Sequence, residues 1–187
     1  MSLRTTLLET SSLLAMLADS PLPEAAEAAA AAIADALRAD RCLLVCGNGG
    51  SMADAQHIAG ELAARFLVER RGLKAIALGS NTATLTAWSN DYAYDSAFAR
   101  EVEALGEAGG VLLALSTSGN SANVVQAAEA ARAKGMAVVA LTGRGGGRLA
   151  ALADHLLAVP SSDTPRIQEA HTVLYHYICE TVEAACA

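Results

Sequence analysis

Aromatic rings are scarce in this chain, at 4% of its 187 residues, and charged residues make up only 18% against a usual ~25%. Few flat side chains leave few platforms on which nucleic-acid bases could stack. Positive charge is short as well: 13 Lys and Arg stand against 20 Asp and Glu, for a net charge of −7. A phosphate backbone therefore finds no basic footprint, and nucleic acid is excluded as a partner, although backbone amides could still hold a single phosphate. Long apolar runs are missing, because the alanine-rich stretch from residue 25 to 39 is interrupted by Glu27, Asp35 and Arg38. A membrane helix needs about 18 uninterrupted apolar residues, so no membrane partner is expected. The opening MSLRTTLLETSS lacks the apolar core of a secretory signal, which makes the cytoplasm the expected location. Cysteines 42, 46, 179 and 186 show no C-x-x-C spacing. Cys42 and Cys46 fall in one apolar run that reads as a strand, about 13 Å apart and too far to share a disulfide or a metal. They read as core thiols of a reducing compartment.

What the chain has in abundance is alanine and other apolar residues, 53% in all, which excludes disorder and points to closely packed helices with a buried oligomer interface. Its length predicts a single domain. Up to residue 40 the pattern is helical: Leu3, Leu7, Leu8, Ser11, Leu14 and Leu17 share a stripe, Ser20-Pro21-Leu22-Pro23 breaks it, and a second helix runs to about Arg38. From Arg41 onward come five short apolar runs, at 42–46, 75–78, 111–115, 137–141 and 155–159, separated by turns and helical stretches. Uniformly apolar strands alternating with helices predict a five-stranded parallel sheet in an α/β/α three-layer sandwich with flavodoxin-like strand order. The division expected is a helical hairpin over 1–40 and an α/β core over 41–187, closed by a helix from about Thr164 to Glu183.

Ligands of such sheets bind beyond the carboxyl ends of the strands. Two loops there suit an anion. Gly47-Asn48-Gly49-Gly50-Ser51 leads into a helix from Met52 to Arg65, and Ser116-Thr117-Ser118-Gly119-Asn120-Ser121 leads into one from Ala122 to Ala133. Glycines allow close backbone approach, while hydroxyls and amides at a helix start can cradle phosphate without lysine. The same residues also serve as ordinary caps and turns, so neither loop alone decides the matter. Neither is a G-x-G-x-x-G dinucleotide fingerprint or a Walker loop. A third glycine-rich turn, 142–147, is left without a role. His57 and Glu61 stand four apart on a helix, which is acid/base or metal-ligand spacing and equally the spacing of an exposed pair. Gln168, His171 and His176 follow on the closing helix.

Taken together, CGNGGS at 46–51, ADAQHIAGEL at 53–62, SND at 89–91, LSTSGNSANV at 115–124, ALTG at 140–143 and RIQEAH at 166–171 with His176 resemble the bacterial phosphoheptose isomerases of the sugar-isomerase (SIS) domain superfamily. Those enzymes act on sedoheptulose 7-phosphate. The resemblance implies that Ser116, Thr117, Ser118 and Ser121 hold the sugar phosphate, that Asn48, Gly49, Ser51 and Gln168 line the site, and that Asn90 and Asp91 contact sugar hydroxyls. It makes Glu61 and His176 the acid/base pair, and it implies a zinc ion on His57, Glu61, Gln168 and His176, with Glu61 also at the substrate. It further implies a homotetramer whose sites lie at subunit contacts, with the hairpin used for packing. Pro165 and Met52 depart from members that carry aspartate and histidine there. Gln168 and His176 lie eight residues apart, about 12 Å along a helix, so a neighbouring subunit or His171 enters as an alternative way to complete the set. The implied reaction is aldose–ketose isomerisation through an enediolate for heptose or lipopolysaccharide biosynthesis. Two other classes share the pattern: a non-catalytic adaptor that binds the replication initiator, which lacks residues equivalent to Glu61 and His176, and a sugar-phosphate sensor.

Overall fold

The computed structural model describes residues 2–187, and among these it forms seven α-helices and five strands. The strands are β1 Leu43–Cys46, β2 Ala75–Ala77, β3 Val111–Ser116, β4 Ala137–Thr142 and β5 His155–Ala158. All pair in parallel in the order β2-β1-β3-β4-β5, which is the flavodoxin-like arrangement expected.

Alternation along the strands divides the core into two layers. Leu43, Val45, Leu113, Leu115, Val139 and Leu141 face one side, which is covered by α2 (Leu22–Arg38), α3 (Gly50–Ala63) and α7 (Thr164–Cys186). Leu44, Cys46, Leu112, Ala114, Val138 and Ala140 face the other, beneath α5 (Ala97–Leu105) and α6 (Ala122–Ala133). Both faces are buried, which explains the absence of polar alternation in these runs. The four cysteines are free, and burial pushes the Cys46 and Cys179 thiols up to about 12, so they act as packing groups.

Two helices depart from expectation. The first, α1 (Leu3–Ala18), turns Leu13 and Leu17 inward and leaves Leu3, Leu7 and Leu8 exposed, with Leu3 74% accessible. The predicted stripe is therefore mostly an outer face, because only one edge of α1 meets the rest of the chain. It is tied to α7 by Arg166, whose guanidinium donates to the Thr6 carbonyl and the Thr10 hydroxyl (both 3.0 Å) and to Glu169 (2.6 Å). The second, α4 (Thr82–Asp91), buries no side chain, so it has no periodic apolar signal to find. It is capped by Asn81, whose side chain accepts from the Ala83 and Thr84 amides.

No helix of the described residues is long and apolar enough to cross a membrane.

Candidate active site

The strand order reverses between β1 and β3, and the loops that leave their carboxyl ends flank one crevice. The Asn48 and Asn123 side chains lock these loops together: each amide donates to the other's carbonyl oxygen at 2.8 Å. Tyr94 donates to the same Asn48 oxygen at 2.8 Å. In the serine loop, Ser116 Oγ lies 3.1 Å from Ser121 Oγ and 3.5 Å from Ser118 Oγ. Ser121 is the N-cap of α6 but makes no side-chain cap bond, so its hydroxyl stays with this cluster. Three hydroxyls at the start of a helix are suited to an anion.

The third glycine-rich turn has a clear task here. It runs directly under the serine loop, and a Cβ at Gly119 would strike the Gly146 carbonyl. The Gly143 amide donates to Thr117 O at 2.9 Å, the Leu149 amide to Gly119 O at 3.1 Å and the Arg148 amide to Asn120 Oδ1 at 3.0 Å. Its glycines let two backbones touch, and the contact sets the shape of the loop. Beside it opens a cavity of about 260 Å³ lined by Thr117, Ser118, Arg144, Ser161 and Thr164.

Gln168 reaches this end from α7. A Cβ on Gly50, the first residue of α3, would lie 2.5 Å from Gln168 Nε2, so glycine there makes room for the amide. Ser51 is buried beside it. Asn90 and Asp91, at the end of α4, are exposed, and the Asn90 amide donates to Asp91 at 2.9 Å.

A second cluster lies further along α3 and α7. His57 Nε2 is 2.9 Å from Glu61 Oε1, and His57 Nδ1 is 3.1 Å from the Tyr175 hydroxyl. That hydroxyl in turn donates to Asp54 Oδ1 at 3.4 Å. The His176 ring meets His57 edge-on at 5.1 Å between centroids and stacks on Phe66 at 5.8 Å. Burial raises the Asp54 carboxyl against the opposing pull of Tyr175, His57 and His176, and burial also pushes the Tyr175 hydroxyl up. Glu183 supports this end from beneath. Its buried carboxylate accepts from the amides of Phe66, Leu67 and Val68 at 2.5 to 3.0 Å and pairs with the buried Arg70 at 3.1 Å. Burial alone would push that carboxyl up, but the three amides and Arg70 hold it below the usual range.

Gln168 precedes His176 by eight residues, about 12 Å of helix rise. One chain therefore brings His57, Glu61 and His176 together and leaves Gln168 with the loops. His171 does not replace it: the ring is buried, bonded through Nε2 to the Thr142 carbonyl at 3.1 Å, and burial lowers it to about 4. Two imidazoles and a carboxylate are the right donor types for zinc. Among the described residues, however, no three His, Cys, Asp or Glu side chains converge closely enough to hold an ion. The residue types fit, while the full set is not assembled within one chain. Asp54, Tyr94, Asn123, Arg144 and Tyr175 are site neighbours that spacing did not single out. Asn123 sits within the quoted LSTSGNSANV segment, and Tyr175 reads from periodicity as core alone.

These features define an α/β protein with a hydroxyl- and amide-lined cradle suited to a small anion at a switch point and with titratable groups on an adjoining helix pair. Residues 10–143 match the family model described as SIS domain. Over 163 residues the chain is 54% identical to the phosphoheptose isomerase of Rhodospirillum rubrum, covering 87% of this chain and 86% of that one. The structure is similar to those of the phosphoheptose isomerases of Neisseria gonorrhoeae (TM-score 0.90, 42% identity) and Francisella tularensis (TM-score 0.93, 38% identity), each match covering 97% of this chain and 96% of the other. The chain belongs to the SIS-domain family and, within it, to the phosphoheptose isomerases.

Proposed function

We propose that this isomerase interconverts sedoheptulose 7-phosphate and D-glycero-D-manno-heptose 7-phosphate in the cytoplasm, feeding heptose into lipopolysaccharide or a related glycan. The observation that carries the reading is the His57–Glu61 pair at 2.9 Å with the His176 ring beside it, on the helix that begins at the GNGGS loop. Ser116, Thr117, Ser118 and Ser121 hold the phosphate, helped by backbone around Asn48, Gly49 and Ser51, while Asn90 and Asp91 meet sugar hydroxyls. Glu61 takes the proton from C1 of the open-chain ketose, leaving a cis-enediolate, and His176 delivers a proton at C2 or oxygen. Gln168, close to the loops, orients the sugar.

The α1 face and a groove of about 280 Å³ lined by Leu17, Leu22, Ala26, Val173 and Tyr177 support a homotetramer packed through the 1–40 hairpin against the 41–187 core. In such an assembly one chain's loops and Gln168 would complete the set with another chain's His57, Glu61 and His176. These four residues would hold zinc in the assembled enzyme, and such an ion would supply Lewis-acid polarisation of a carbonyl.

The test is incubation with sedoheptulose 7-phosphate in deuterated water, followed by NMR. Aldose carrying deuterium at C2 is expected. Binding of the sugar phosphate with neither product nor exchange, with or without added zinc, overturns the reading.

A further inference from the structure

A phosphomonoester is mostly a dianion near neutral pH, since its second pKa is about 6. Ser116, Ser118 and Ser121 offer it hydroxyls but no charge. A cation without an acidic partner stands on the glycine-rich turn beneath them. Gly143 fits that turn against the serine loop, because a Cβ there would lie 2.4 Å from the Thr117 carbonyl oxygen. Arg144 comes next, and its backbone is held in place: the Gly143 amide donates to Thr117 O and the Arg144 amide to Ser161 O, both at 2.9 Å. Its side chain is exposed and makes one long hydrogen bond, 3.3 Å to the Pro160 carbonyl. Among the described residues no carboxylate pairs with it, whereas Arg148, four residues on, meets Glu129 at 4.0 Å and Arg132 meets Asp154 at 3.1 Å. Asp163, the N-cap of α7, is exposed and does not line the adjoining cavity.

That cavity, of about 260 Å³, is lined by Arg144 together with Thr117 and Ser118 of the serine loop, Ser161 and Ser162 after β5, and Thr164 at the start of α7. One wall is thus the loop itself, and another carries a positive charge among hydroxyls. In a chain of net charge −7, this is a favourable place for an anion already seated on the loop. A guanidinium matches phosphate oxygens with paired, charge-assisted hydrogen bonds. We propose that Arg144 is a substrate-binding residue, which meets from the cavity side the phosphate of the sugar phosphate held on the serine loop. The inference rests on the proposed reading of that loop as the phosphate holder. Hydroxyls and amides set where the phosphate sits, while Arg144 favours the doubly charged group over a singly charged one of the same shape.

The test measures KM for sedoheptulose 7-phosphate and, by ³¹P NMR titration of the full chain, Kd for inorganic phosphate. Arg144→Gln should raise both about 10-fold, with kcat moved less than about twofold and the urea midpoint unchanged. Arg144→Lys, which keeps the charge, should recover most of the loss. The gap between wild type and Arg144→Gln should shrink as potassium chloride rises from about 0.05 to about 0.5 M, which a role confined to bracing the Pro160 carbonyl would not produce. Arg148→Gln should bind as the wild type does. Unchanged binding in Arg144→Gln, an equal loss in Arg148→Gln, or a loss that neither lysine nor salt alters overturns the proposal. Absence of turnover in the wild type would sink the proposed reaction and leave the phosphate titration to decide this inference by itself. Weaker phosphate binding in both Arg144→Gln and Ser121→Ala then sustains it, and weakening in only one of them, or a wild type that binds no phosphate, overturns it.

Discussion

The two ends of the α3–α7 pair are made of different chemistry. At the loop end the groups are hydroxyls, amides and glycine backbone, bonded to one another and carrying little charge. About two helical turns away, carboxylates, imidazoles and a phenol form a chain of polar contacts on one surface, with Glu61 22% and His57 43% exposed. A neutral, pre-bonded cradle can grip an anion with little rearrangement, whereas proton transfer needs groups free to change charge. On the proposed reading, holding and reacting fall to separate places and should fail separately.

The sharpest break is Glu61→Gln, which should lower kcat by roughly 10²- to 10⁴-fold while sugar-phosphate affinity stays within about twofold. Calorimetric titration beside a turnover assay checks both halves, and an equal loss of binding would erase the distinction between the ends. Next comes Glu183→Gln, which leaves the Arg70 charge buried without its partner. It should cost about 3 to 5 kcal/mol of stability in urea unfolding and loosen Phe66 beneath His176. Third is a pH effect rooted at the loop end. Because His171 is lowered to about 4 in the folded chain, the unfolded chain takes up a proton that the folded one refuses below an ordinary pKa of ~6.5. Stability from this group is present in full above that pH and is lost as pH falls toward 4, by an amount of order 3 kcal/mol. His171→Leu should flatten that slope in denaturant melts taken across the window. The smallest effect belongs to Ser121→Ala, which removes one hydroxyl from the cradle. It should raise KM about 5- to 10-fold, close to 1 kcal/mol, with kcat nearly unchanged. A fall in kcat instead would mean the cradle takes part in the chemistry.

How much of this could be read beforehand follows from what leaves a trace in sequence. The central strands β1, β3 and β4 were legible because burial on both faces makes each a nearly unbroken apolar run, the edge strands β2 and β5 showed as short apolar runs although only partly buried, and the loops that follow β1 and β3 carry their glycine and serine openly. Helix α4 was not, since a helix that buries nothing has no apolar period. The stripe on α1 was visible but its direction was not, because periodicity locates a face without saying what meets it. R-I-Q-E-A-H reads as one motif, yet the helix spreads it three ways: Arg166 and Glu169 grip α1, Gln168 meets the GNGGS loop and His171 enters the core. The pairing of Tyr175 with Asp54 and His57 needs two helices in contact, and single-chain spacing contains no record of that.

The Glu183 clasp has a consequence for the order in which the molecule can be made. The amides of Phe66, Leu67 and Val68 find their acceptor 115 to 117 residues later in the chain. A polypeptide leaving the ribosome exposes α3 and the loop after it while that carboxylate is still uncoded peptide. The reactive surface therefore cannot take its final form during most of synthesis. Its assembly waits for the last turns of α7, long after the sheet strands that flank the crevice have emerged.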